Sequence, residues 1–203
     1  MALVSRFEGI IFDYGGVLAR HQTDEDQARL ANIAGIPKDL FCSLYWADRL
    51  EYDKGALSAV EYWQTVASGG NSSFTRDIVD QLIDLDTASW MQFDPPMWEW
   101  IDQLRSSGKR VAMLSNMPRE LGEALKSRTG RLHGFDHVTL SYEIHAAKPE
   151  PAAYEHCLEG LGTSREQTLF FDDRIANVQA AELLGMRAIQ FLDRDDVLLQ
   201  CRA

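Results

Sequence analysis

From Pro95 onward the chain alternates short apolar runs with helix-period stretches, and no other feature constrains its fold as tightly. The apolar runs fall at 110–114, 137–140, 168–171 and 187–191, with helical patterns near 97–106, after Pro118, at 152–161 and near 176–184. Strands separated by helices do not meet as hairpins. They join as parallel neighbours through crossover helices, which predicts an α/β parallel sheet covered on both faces. An earlier run, Gly9-Ile10-Ile11-Phe12, supplies the first strand.

Between that strand and Pro95-Pro96 the pattern is helical. Thr23 or Asp24 caps a first helix ending at Gly35, and Pro37 opens a second. Ser58 starts a third helix and Ser73 a fourth. The expected organisation is therefore a core of residues 1–20 and 92–203, with residues 21–91 inserted as a small helical cap. Tyr45, Trp46, Tyr52, Tyr62, Trp63 and Trp90 fall in this block. Most are expected to form its interior, with one or two facing a site, and the sequence does not say which.

The strand ends carry the chemistry. Asp13 follows an apolar run and precedes Gly15-Gly16, so a tight turn delivers its carboxylate to the C-terminal edge of the sheet, where open α/β folds bind ligands. Asp172-Asp173 follow Phe170-Phe171 in the same way. Carboxylates gathered at one edge repel unless a cation neutralises them, and an oxygen-only set suits Mg²⁺, with the Gly15 carbonyl available to complete it. Taken alone, Asp172-Asp173 reads equally as a turn and a helix cap; the matching Asp13 favours the metal reading. Ser115-Asn116 ends another strand before Pro118, and a hydroxyl, an amide and helix N–H groups are phosphate ligands. A plain helix cap is the alternative there. Lys148, between two alanines and Pro149, can partner both acid and phosphate at this edge. His21, near the first loop, reads as structural or exposed.

The formal net charge of −11 argues against a nucleic-acid partner. No apolar stretch approaches the roughly 20 residues of a membrane span. Cys42, Cys157 and Cys201 have no metal-like spacing, and reduced thiols in a cytoplasmic protein are expected.

Read in order, Phe12-Asp13-Tyr14-Gly15-Gly16-Val17, Leu114-Ser115-Asn116, Lys148-Pro149-Glu150 and Phe170-Phe171-Asp172-Asp173 resemble the haloacid dehalogenase superfamily over essentially the whole chain. Within it the likeness is to the subgroup of α-D-glucose-1-phosphate phosphatase and the N-terminal phosphatase domain of soluble epoxide hydrolase. The resemblance implies a Rossmann-like sheet with an inserted cap. It also implies a Mg²⁺-dependent phosphatase acting on a small phosphorylated metabolite, with a sugar phosphate among the candidates. Asp13 would attack phosphorus and form an aspartyl-phosphate. Asp13, Asp172, Asp173 and the Gly15 carbonyl would hold the metal. Ser115, Asn116 and Lys148 would bind the phosphoryl group, and Lys148 would also pair with Asp13.

One position departs from the family pattern, which is Asp-x-Asp with the second Asp as general acid and base. Here that position is Gly15. A missing general acid typically costs 10²–10⁴-fold, most for poor leaving groups. Two further readings follow: a non-catalytic protein that binds a phosphoryl ligand or a partner, and a metal-independent 2-haloacid dehalogenase using the same Asp13 on carbon.

Overall fold

The computed structural model describes residues 2–195 and 197. Cys201 lies outside the described residues. A short helix α1 (Ala2–Ser5) precedes β1 (Gly9–Phe12). Five helices follow: α2 (Asp24–Ala34), α3 (Lys38–Ala47), α4 (Arg49–Asp53), α5 (Ala59–Gly69) and α6 (Arg76–Ser89). The alternating part runs α7 (Pro95–Ser106), β2 (Arg110–Ser115), α8 (Arg119–Thr129), β3 (His137–Leu140), α9 (Ser141–Ile144), α10 (Pro151–Leu161), β4 (Thr168–Asp172), α11 (Ile175–Leu183) and β5 (Arg187–Gln190).

All five strands are parallel, in the order β3-β2-β1-β4-β5. The period-two alternation of a buried strand divides the core. Ile10 and Phe12 pack with Trp100, Ile101, Leu121 and Leu125 on the face covered by α7 and α8. Ile11 packs with Tyr154, Leu158 and Val178 under α10 and α11. Both faces are therefore dry, as a parallel sheet requires.

The helices α2 to α6 bury an interior of their own, around Leu30, Phe41, Tyr62, Trp63, Val79 and Leu82. Thr23 and Ser58 each close a capping box, with Asp26 and Glu61 returning to the cap backbone. Three local expectations are corrected. Thr75, not Ser73, caps α6, because its hydroxyl accepts from the Ile78 N–H. A further short helix, α4, follows α3 at Asp48, making five helices where the pattern gives four. The last strand stops at Gln190.

Candidate active site

Register sets the geometry. Phe12 pairs with Met113 on one side and Phe171 on the other. One residue further, Asp13 and Asp172 emerge side by side from adjacent strands, and Ser115 ends β2 next to them. The Asp13 N–H donates to the Phe171 carbonyl at 2.9 Å, so the pairing continues past the last strand residue and fixes where the carboxylate leaves the sheet. Gly16 then takes φ of +76°, a left-handed conformation that glycine adopts without strain. A Cβ there would also lie 2.6 Å from the His21 ring and 3.0 Å from Asp173 Cγ.

Lys148 is buried between two of these acids. Its Nζ lies 2.7 Å from Asp13 Oδ1 and 2.7 Å from Asp172 Oδ2. Asn116 places it: the amide donates to the Lys148 carbonyl at 2.8 Å and accepts from the Lys148 N–H at 2.9 Å. Asp172 is held from the other side. Its Oδ1 accepts from the Arg174 N–H at 2.9 Å, and both its oxygens accept from Asn177 Nδ2, at 2.9 and 3.1 Å. With Lys148 included, each Asp172 oxygen receives two donors.

Asp13, Asp172 and Asp173 offer ligand oxygens within 4.8 Å of one another. One ammonium faces three carboxylates, and the imbalance shows in the ionisation of Asp13 and Asp173. Burial, reinforced by Asp172 and Asp173, pushes the Asp13 carboxyl up to about 8 in spite of Lys148. Asp173 is raised by burial and by Asp172. Burial works against the charge on Lys148, but Asp13 and Asp172 outweigh it and hold the ammonium above its usual range. A hard divalent cation is the compensation that an all-oxygen cluster of this kind fits.

Above the cluster is a cavity of about 320 Å³. Its floor is Asp13, Ser115, Asn116, Lys148 and Asp173, and Gly15 lies in its wall. The cavity is thus lined by every candidate site residue read from the sequence except Asp172, which joins the cluster from beneath, fully buried. The walls add His21, read from the sequence as structural or exposed, Trp46 and Trp90 of the helical block, and Arg49, Asp53, Arg174 and Asn177, which the sequence did not single out. His21 is largely exposed yet reaches within 3.4 Å of Asp173 Oδ2. Trp46 and Trp90 are the aromatic residues of the helical block that face the site, while Tyr45, Tyr52, Tyr62 and Trp63 are interior.

Residues 7–185 match the family model of haloacid dehalogenase-like hydrolases. The chain belongs to this family. Its sequence is 28% identical over 188 residues to a phosphatase of Mycobacterium tuberculosis, covering 88% of this chain and 84% of that one. It is 35% identical over 192 residues to haloacetate dehalogenase H-2 of a Moraxella species, covering 90% and 84%. A haloacid dehalogenase family enzyme of Bacteroides thetaiotaomicron, crystallised with magnesium and inorganic phosphate, shares the fold. That likeness has a TM-score of 0.75 at 20% identity and covers 94% of this chain and 98% of that one. The haloacid dehalogenase fold expected from the sequence is present, and the protein is a hydrolase of this family.

The signal that would have marked the wall residues was faint. Arg174 and Asn177 directly follow the acid pair and open α11, so their nearness to the site was implicit in position. Trp46 and Trp90 ended helices whose docking onto the sheet no local pattern specifies.

Proposed function

We propose that this hydrolase is a Mg²⁺-dependent phosphatase acting on a small phosphate monoester through an aspartyl-phosphate at Asp13. The observation that carries the reading is the carboxylate cluster of Asp13, Asp172 and Asp173 with a single ammonium inside it. Such a cluster suits a phosphoryl group brought in with a divalent cation. It is ill suited to a free haloacid, whose own carboxylate would add to the repulsion.

Asp13, Asp173 and the Gly15 carbonyl would hold the metal. Asp172 already accepts two donors on each oxygen, close to the capacity of a carboxylate. Its part in metal binding is therefore mainly to supply charge and to fix Lys148. When bound, Mg²⁺ neutralises charge on the phosphoryl oxygens and on Asp13. Lys148 holds Asp13 in line and draws off negative charge from the phosphoryl oxygens. The Ser115 hydroxyl and the Asn116 backbone N–H would take the remaining oxygens, because the Asn116 side chain is committed to Lys148. Attack by the Asp13 carboxylate breaks the ester P–O bond, and water then hydrolyses the acyl phosphate.

Residues 21–91 act in this proposal as the cap that selects the leaving group. A phosphorylated metabolite, with sugar phosphates among the candidates, is the substrate class. The free thiols Cys42 and Cys157 are in keeping with a cytoplasmic setting. Among the described residues no helix is long and apolar enough to cross a membrane.

The likeness to a haloacetate dehalogenase supports a second reading, metal-independent attack of Asp13 on a carbon–halogen bond. One experiment separates the two. Purified protein is given a panel of phosphate esters and 2-haloacids, with Mg²⁺ or with EDTA. Phosphate release that EDTA abolishes and Mg²⁺ restores is expected; halide release indifferent to EDTA would replace the proposal with the dehalogenase reading.

A further inference from the structure

We infer that Trp46 and Trp90 form the leaving-group subsite and select phosphate esters whose leaving group is a planar aromatic. The inference rests on the phosphatase reading and names its substrate class.

Trp90 occupies the space beside the nucleophile. A Cβ built on Gly15 would lie 3.2 Å from Trp90 Cζ3 and 3.7 Å from Cε3, so the benzo edge of the indole covers the direction a side chain at 15 would take. Trp90 is held through both its ring and its backbone. The indole Nε1–H donates to the Tyr45 hydroxyl at 3.1 Å, and the Trp90 backbone carbonyl accepts from the Tyr14 hydroxyl at 2.7 Å. Tyr14 is the residue after the nucleophile, so Trp90 is registered to Asp13 through one side chain.

Trp46 stands on the same wall. It is 49% exposed, unlike Tyr45, Tyr52, Tyr62 and Trp63, which the helical block buries. It meets Tyr45 edge-on at 4.9 Å and Trp90 edge-on at 6.4 Å, with an interplanar angle of 83°. Two indoles set near a right angle make a corner on the cavity wall. A large apolar ring held half bare inside a cavity is the arrangement expected of a ligand contact.

The chemistry agrees with the shape. As Asp13 attacks, the ester P–O bond breaks and its electron pair leaves on the ester oxygen. The wall next to Asp13 is an indole edge, which has no proton to give at that point. A leaving group that delocalises the charge into its own ring departs without prompt protonation, and the same ring stacks in the corner. Stacking of this kind favours a larger ring by roughly three- to tenfold.

The test has a binding arm and a turnover arm. In the first, the Asp13→Asn variant is titrated by calorimetry with 2-naphthyl, phenyl and cyclohexyl phosphate and with glucose 1-phosphate, all with Mg²⁺. The expected order is naphthyl tightest, by about three- to tenfold over phenyl, with the cyclohexyl and sugar esters weakest. Adding Trp46→Ala should bring the naphthyl-to-phenyl ratio close to one, and Trp46→Phe should restore part of it. In the second arm, otherwise wild-type protein carrying Trp46→Ala should lose the same preference in kcat/KM, chiefly through KM for the naphthyl ester. A ratio unmoved by Trp46→Ala, or glucose 1-phosphate binding more tightly than both aryl esters, would overturn the subsite. No Mg²⁺-dependent turnover of any ester would instead remove the phosphatase reading, and the binding arm tells the two failures apart.

Discussion

Two buried ion clusters stand close together in this molecule, one at the sheet edge and one in the helical block. At the sheet edge Lys148 lies between Asp13 and Asp172, with Asp173 beside them. In the block Arg49 lies between Asp53, at 2.8 Å, and Asp86, at 3.0 Å. The block cluster is closed by its neighbours. Asp86 also accepts from Tyr45 at 2.6 Å and from Gln22 at 3.0 Å, and the Arg49 guanidinium lies over the Tyr45 ring. A planar fork of donors suits such a fixed lattice, whereas an ammonium on a flexible stem suits a site whose partners change during a reaction. Both clusters set one cation against more carboxylates, and both border the cavity. The sheet edge adds Asp173 and gathers three ligand oxygens within 4.8 Å, whereas the Asp86 oxygens in the block are taken up by Arg49, Tyr45 and Gln22. A three-carboxylate cluster on the cavity, and not the burial of an ion cluster alone, marks the candidate site here.

The largest expected effect comes from Asp13→Asn. Turnover should fall by roughly a thousandfold or more, as for removal of other covalent nucleophiles, while the melting temperature holds or rises because one of three crowded carboxylates is gone. Retention of more than a few per cent of activity would take the nucleophile away from Asp13. Next comes the metal. Asp173→Asn should raise the Mg²⁺ concentration for half activity by at least the roughly 10–100-fold that loss of a supporting group costs. A titration curve that overlays the wild type would remove Asp173 from the ligand set.

Arg49→Met strikes the other cluster. It strands Asp53 and Asp86 in the interior and should destabilise the protein by about 3–5 kcal/mol in urea unfolding. Adding Asp53→Asn and Asp86→Asn should recover part of that loss. A single variant as stable as wild type would mean that the block cluster is not the closed lattice described here.

The smallest effect is a pH dependence. Burial raises the Asp53 carboxyl to about 6, against the attraction of Arg49. A raised acid binds its proton more tightly in the folded state than in the unfolded chain. Its contribution to stability is therefore full below about pH 4 and is lost as pH rises through about 6. Relative to Asp53→Asn, wild-type stability should decline across that window, and parallel curves between pH 4 and 7 would exclude the titration.

The alternating half of the fold was legible because each strand announces itself by a dry apolar run and each crossover by a helical period. Asp13, Ser115 and Asp172 were legible for the same reason: a strand end is a defined place, and parallel register brings such ends together. The short helix α4 was not, since its five residues are too few to show a helical period and no side chain caps its start. The part played by Asn116 was also hidden. An amide after a strand reads as a ligand or a cap, and only its pairing with the Lys148 backbone, 32 residues away, shows that it positions the lysine.

Hydrophobic period and strand-end chemistry, both local properties, determined the parallel sheet, the inserted helices and the acids at one edge. The tertiary structure alone decided which aromatic rings face the cavity, that Trp90 takes the space beside Gly15, and that Asp172 spends its oxygens on Lys148, Arg174 and Asn177. Those outcomes depend on how one hydrophobic unit docks on another, and docking is set by long-range contacts that leave no periodic trace in the chain.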